Sequence, residues 1–151
     1  MRTPKKAAPK KAAPKEAPKE APKEAPYGIR KYREGRKDVK GSSTRLRGKI
    51  LVRAEKYEKK NPRKEATYGY RSFELTKSGI LFEELEEDIR EYSEANPRKL
   101  EGGIKHVRHE VDLGRVIALP YVDSEGTELL PLPEEVEAKR EENGFPSLKE
   151  A

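Results

Sequence analysis

The chain has 151 residues, of which 32% are hydrophobic and 41% charged, with 34 Lys/Arg against 28 Asp/Glu and neither Cys nor Trp. The lack of Cys excludes disulfides and thiolate metal sites, and no apolar run approaches the roughly 18 residues that a membrane span requires. Charge is sharply segregated, because residues 1–75 carry 24 Lys/Arg and 9 Asp/Glu whereas residues 76–151 carry 10 and 19. Such asymmetry points to a polyanionic partner for the first half.

Residues 1–26 are almost wholly Lys, Ala, Pro and Glu. Lys-Lys-Ala-Ala-Pro occupies Lys5–Pro9 and Lys10–Pro14, and Lys-Glu-Ala-Pro recurs at Lys15–Pro18, Lys19–Pro22 and Lys23–Pro26. A Pro at this spacing removes amide donors and keeps the preceding residues out of the helical region. The expectation is a disordered, polyproline-like arm of about 3 Å per residue, roughly 70 Å in reach. Its first 13 residues are net +5 and its next 13 are neutral, a basic tip on a spacer. No apolar stretch follows the basic start, so a secretory signal is not expected. The Pro density also argues against the amphipathic helix of a transit peptide.

In composition the arm is similar to the Lys/Ala/Pro tails of linker histones and of some bacterial nucleoid proteins. That resemblance covers residues 1–26 alone and implies contact with the DNA backbone. Comparable arms on ribosomal and viral structural proteins leave DNA and RNA both open.

Residues 27–42 read as a basic connector, with Arg30, Lys31, Arg33, Arg36, Lys37 and Lys40 against Glu34 and Asp38, and with Tyr27 and Tyr32 interleaved. A folded domain is expected over 43–144, with a frayed end over 145–151. Within it, Ser43–Lys64 and Ser78–Lys99 align at an offset of 35 and share Asn-Pro-Arg-Lys at 61–64 and 96–99. In both copies the apolar positions fall at i, i+4, i+8 and i+11, one face of a helix. Ser is a favourable cap before each, and Asn-Pro stops each. Two similar helices are therefore predicted, about 44–60 and about 79–95, although Gly48 and Ile50-Leu51-Val52 weaken the first and suit a strand.

Ala66–Leu75, rich in Thr, Tyr and Phe, is predicted as a strand. Ile104–Val111 and Arg115–Val122 flank Asp112-Leu113-Gly114 as a hairpin. Asp123-Ser124-Glu125-Gly126 is a turn, and Leu129–Leu132 a short edge strand, since Pro131 excludes a central one. Pro133 opens a last helix that Asn143-Gly144 stops near Glu142. The predicted fold class is a small α+β domain: two similar helices, a short, mostly antiparallel sheet and a C-terminal helix, preceded by the disordered basic arm.

Lys and Arg neutralise phosphates and release counterions without reading sequence, and Tyr among them can stack on unpaired bases. The candidate contacts are Lys5, Lys6, Lys10, Lys11, Arg30, Lys31, Arg33, Arg36, Lys37, Arg45 and Arg47, with Arg63 and Lys64 weaker. Arg63-Lys64 and Arg98-Lys99 are placed just beyond helix C-termini, where cations complement the dipole. His106 and His109, near Glu110 and Asp112, do not match the His-Glu-x-x-His zinc pattern and would face opposite ways on a strand. The run Glu83, Glu84, Glu86, Glu87, Asp88 and Glu91 reads as the solvated face of an amphipathic helix.

No Gly-rich phosphate loop, Gly-x-Ser-x-Gly or cysteine nucleophile is present. No metal or cofactor is expected. The leading expectation is a non-enzymatic nucleic-acid-binding accessory protein, in the cytoplasm or on the nucleoid, or else in a virion. Its arm and connector would hold the phosphate backbone. The alternatives are an assembly component of a virion or ribonucleoprotein particle, a homo-oligomer whose arm threads between subunits, and a regulator docking on a large enzyme such as a polymerase. The near absence of Gln, Asn and Met beside abundant Lys, Glu and Arg follows the compositional trend of thermophile proteins.

Overall fold

In the computed structural model, which describes residues 25–36, 45–94 and 96–150, the run Ile50-Leu51-Val52 lies in the central strand of a sheet. This strand, β1 (Lys49–Arg53), pairs antiparallel with β2 (Ile80–Leu81) on one side and β3 (Val116–Pro120) on the other. Ile50 sits opposite Leu81 and Leu119, and Leu51 opposite Ile80 and Ala118. Around the sheet, among the described residues, lie five α-helices: α1 (Tyr27–Arg36), α2 (Tyr68–Leu75), α3 (Phe82–Tyr92), α4 (Pro97–Asp112) and α5 (Glu134–Glu142). The α+β class is thus as expected from the sequence.

Both faces of β1 are covered. Leu51, Ile80 and Val116 pack with Phe73 of α2, Leu85 and Ile89 of α3, and Ile104 and Val107 of α4. On the opposite face Ile50, Val52 and Leu81 pack with Ile29 and Tyr32 of α1, Val136 of α5, Tyr121 and Leu148. This arrangement explains why the helix expected over 44–60 is not formed. Consecutive helical side chains diverge, whereas a strand between two layers buries all three apolar residues on alternate faces. After β1 the chain makes only a short 3₁₀ turn, Glu55–Tyr57.

Two expected strands are helices. Thr67 caps α2 by accepting the Tyr70 amide, and Gly69, Ser72 and Phe73 then share its buried face. Ile104, Val107 and Val111 hold the i, i+3, i+7 spacing of a helix, which wins here over the hairpin expected from Asp112-Leu113-Gly114. Asn96 caps α4, its Oδ1 accepting from the amides of Arg98 and Lys99, with Pro97 opening the first turn. The second Asn-Pro therefore starts a helix as well as following one. Asn61 makes the same local bond to the Arg63 amide, yet no helix follows it. The related strings adopt different structures.

Helix α3 falls inside the predicted 79–95. The expected edge strand at 129–132 is reduced to one bridge, Val122 to Leu129. Pro133 stands one residue earlier than expected, as the cap of α5, and Gly144 ends that helix region with φ +85°. Residues 27–36 form a packed helix in place of a connector. The carboxyl end is packed as well, with Leu148 buried and the Tyr27 amide donating to the Glu150 carbonyl at 2.6 Å.

Candidate nucleic-acid interface

Three cations of helix α1 make hydrogen bonds within the domain. Lys31 Nζ is 2.8 Å from both carboxylate oxygens of Glu87 on α3. Arg30 Nε donates to the Ala25 carbonyl at 3.0 Å, and Arg33 Nε donates to the Gly126 carbonyl at 3.2 Å. Arg36 closes the helix. Arg45 pairs with Asp112 on α4. Arg47 faces Glu83 with its two terminal guanidinium nitrogens buried and without hydrogen-bond partners among the described residues. Arg63 pairs with Glu110, which also accepts from Arg115 Nη1 at 3.1 Å. Lys5, Lys6, Lys10, Lys11 and Lys37 lie outside the described residues. Of the connector's cations, Lys31 is therefore held by a carboxylate, while Arg30 and Arg33 bond backbone carbonyls.

A different set of cations faces solvent. Lys59, Lys60 and Lys64, between β1 and α2, are exposed and meet no carboxylate among the described residues, as are Arg98 and Lys99. The last two correct a sequence expectation. They occupy the first turn of α4, the positive end of its dipole, instead of sitting beyond a C-terminus. Cations at that end are disfavoured by the helix itself. Helix stability therefore does not account for them; Asn96 already takes the Arg98 and Lys99 amides, so it is their exposed side chains that are open to an anion.

The acidic run of α3 is likewise corrected. Glu83, Glu84 and Glu86 are 2%, 8% and 5% exposed, so the helix turns these carboxylates inward. Glu83 accepts from Tyr121 Oη at 2.6 Å and from the Gly48 amide at 2.9 Å. Burial pushes its carboxyl above the ordinary range, and those bonds offset the rise only in part. Burial acts the same way on Glu84, but Arg140 outweighs it and holds that carboxyl low, assisted by the Leu81 amide and Tyr27. Sequence periodicity misses these groups because apolar and carboxylate positions alternate around the whole helix. The one available signal is the matching supply of Arg and Tyr elsewhere in the chain.

Helices α2, α3 and α4 also bring aromatic rings together. Tyr68 and Tyr92 stack with centroids 5.2 Å apart and planes 24° apart. Arg71 lies over Tyr92 at 5.1 Å, and His106 meets the edge of Tyr68 at 6.3 Å. His106 and His109 lie on a helix, and burial followed by the Arg63 charge lowers the His106 imidazole. Among the described residues no three His, Asp or Glu side chains are grouped to hold a metal ion. No helix there is long and apolar enough to cross a membrane.

A groove of about 640 Å³ runs between residues 129–132, α5 and the carboxyl end, with Leu129, Leu132, Phe145 and Pro146 in its walls and Glu134, Glu137 and Glu141 among its polar groups. Its one arginine, Arg140, is bound to Glu84. Compared with protein-family models, curated proteins and solved structures, the chain matches none.

Proposed function

We propose that this chain is a non-enzymatic nucleic-acid-binding accessory protein that holds the phosphate backbone, acting in the cytoplasm, on the nucleoid or within a virion. The observation that carries the reading is the segregation of charge, 24 Lys/Arg against 9 Asp/Glu in residues 1–75. The exposed Lys59, Lys60, Lys64, Arg98 and Lys99 support it, because no carboxylate among the described residues neutralises them. Because Lys31, Arg45 and Arg63 have carboxylate partners, this reading gives more weight to the arm lysines and to this second set. Backbone contacts of this kind position a protein without specifying sequence. The test is binding of the full chain to duplex DNA and to structured RNA across salt concentrations. A steep negative dependence of affinity on salt is expected. No binding at low salt contradicts the reading.

One observation favours the assembly reading as the second choice. The groove beside α5 joins Leu and Pro walls to glutamates, a match for a Lys/Ala/Pro arm from a neighbouring copy. A concentration-dependent oligomer without nucleic acid, abolished when Lys15, Lys19 and Lys23 become Glu, supports that reading. A monomer at all concentrations removes it.

A further inference from the structure

Phosphate contacts leave the bases unengaged, and the stacked tyrosines offer them a surface. Tyr92, the last residue of α3, is 41% exposed, unusual for a large ring in this small core. Its partner Tyr68 is fixed from behind. The Tyr68 hydroxyl lies 2.6 Å from Ser93 Oγ, which itself donates to the Ile89 carbonyl at 2.6 Å, and Ser93 is fully buried. Below Tyr68 is Gly103, where a Cβ would stand 3.3 Å from the ring and 2.6 Å from Ile89 Cγ2. A bare backbone at that point lets the ring seat against α4. At the neighbouring Gly102 a Cβ would meet nothing within 4 Å. A helix-interior Gly costs about 1 kcal/mol relative to Ala, so two in succession call for a reason beyond helix formation.

Arg71 completes the arrangement. It is exposed and pairs with no carboxylate among the described residues, and its guanidinium rests over Tyr92. Lys99, one turn before Gly103 on α4, adds a second exposed cation. A rigid ring, a cation above it and unpaired charges around it are the parts from which single-strand binding surfaces are built, since every base offers a π-face while the cations meet the backbone. Rings already held in place lose little freedom on binding.

We propose that Tyr92, backed by Tyr68 and covered by Arg71, is a base-stacking platform for single-stranded nucleic acid. This deepens the phosphate-binding reading and rests on it. A base inserts beside Tyr92, the Arg71 guanidinium stacks on its other face, and Lys99 meets the adjoining phosphate. A tyrosine pair serving only to join α2 to α3 would affect stability and leave ligand choice alone.

The test compares the full-length wild type with Tyr92→Leu, Tyr92→Phe and Arg71→Ala. Binding is measured to oligothymidylate, to oligouridylate, and to an abasic strand of equal length that keeps the phosphates and lacks the bases. Tyr92→Leu is expected to weaken binding to the base-bearing strands by about 5- to 150-fold, the range for removal of one base stack, with less than about twofold effect on the abasic strand. Tyr92→Phe keeps the ring and is expected to bind as wild type. Arg71→Ala, an exposed change, is expected to lose affinity for the base-bearing strands and carries the test if Tyr92→Leu fails to fold. Equal losses on both kinds of strand, or none on the base-bearing ones, overturn the platform and leave the phosphate reading standing. A wild type that binds neither strand type at low salt overturns both.

Discussion

Arg140 on α5 grips Glu84 on α3 through two parallel hydrogen bonds, each of 2.8 Å, with both side chains nearly buried. The same guanidinium donates to the carbonyls of Gly79 and Pro146 at 2.7 and 2.6 Å. One arginine therefore ties the last helix, the turn before β2 and the carboxyl-terminal segment to α3. Tyr27 Oη reaches the other side of the same carboxylate at 2.7 Å, which brings α1 into the cluster. Removing one partner of such a pair leaves an uncompensated buried charge. Arg140→Met and Glu84→Leu are each expected to cost about 3–5 kcal/mol, read from chemical unfolding. The double substitution is expected to lose much less than the sum of the two, and strict additivity contradicts the coupling.

Gly79 holds the neighbouring position. Its φ is +93°, and a Cβ there would lie 2.5 Å from the Arg140 Cα and 2.7 Å from its amide nitrogen. Gly79→Ala must strain the backbone, by about 1–3 kcal/mol, and must also push α5 away. Gly144 has a similar φ of +85° with open space around it, so Gly144→Ala carries the backbone cost alone. Thermal unfolding of the two variants is expected to show a clearly larger loss for Gly79→Ala. Equal losses would mean that the close approach to Arg140 contributes nothing.

Glu83 and Glu84 titrate in opposite directions although they are adjacent. Burial raises the Glu83 carboxyl, so the folded state holds that proton more tightly than the unfolded chain does. Its contribution is therefore most favourable in acid and is lost as pH rises through the raised value. Glu83→Gln keeps an acceptor for Tyr121 and cannot ionise. The stability of Glu83→Gln relative to wild type is expected to be more favourable at pH 7 than at pH 4, measured by denaturant unfolding at each. A difference that does not change with pH, or one of opposite sign, contradicts the assignment. For Glu84, held low by Arg140, stability is present at neutral pH and lost as pH falls through its depressed value.

The sequence was legible where one residue pattern fits one environment. Helix α3 announces itself through Leu81, Leu85 and Ile89, and α5 through Pro133 and Gly144. It misled where tertiary burial overrode local pattern. Ile50 and Leu81 face one layer while Leu51 and Ile80 face the other, and periodicity along one segment cannot reveal that a second layer exists. Thr67 and Asn96 were readable as helix caps, yet Tyr and Thr content and a hairpin-like Asp112-Leu113-Gly114 drew both segments towards strands. Of the candidate contacts, Lys64 is exposed, whereas Lys31 and Arg63 have acidic partners supplied by α3 and α4, far away in sequence. Tyr68 and Tyr92, 24 positions apart, meet only once both helices are in place.

Lys59, Lys60 and Lys64 are exposed loop cations with no carboxylate partner among the described residues, so they can be altered with little structural consequence. Changing all three to Ala is expected to shift stability by no more than about 0.5 kcal/mol per site. If each meets a phosphate, the slope of log affinity against log salt for duplex DNA becomes shallower by about 0.9 per residue removed. An unchanged slope with unchanged stability takes this face out of the interface.

The most direct measurement is that slope for the full chain and for a full-length variant in which Lys5, Lys6, Lys10 and Lys11 are Ala. Tight binding at low salt and a steeply negative slope are expected of the wild type. The arm variant is expected to be shallower by about 0.9 for each phosphate no longer neutralised, with the fold intact. A wild type that fails to bind DNA or RNA at low salt, or binds with a slope near zero, contradicts the claim that this protein holds a phosphate backbone.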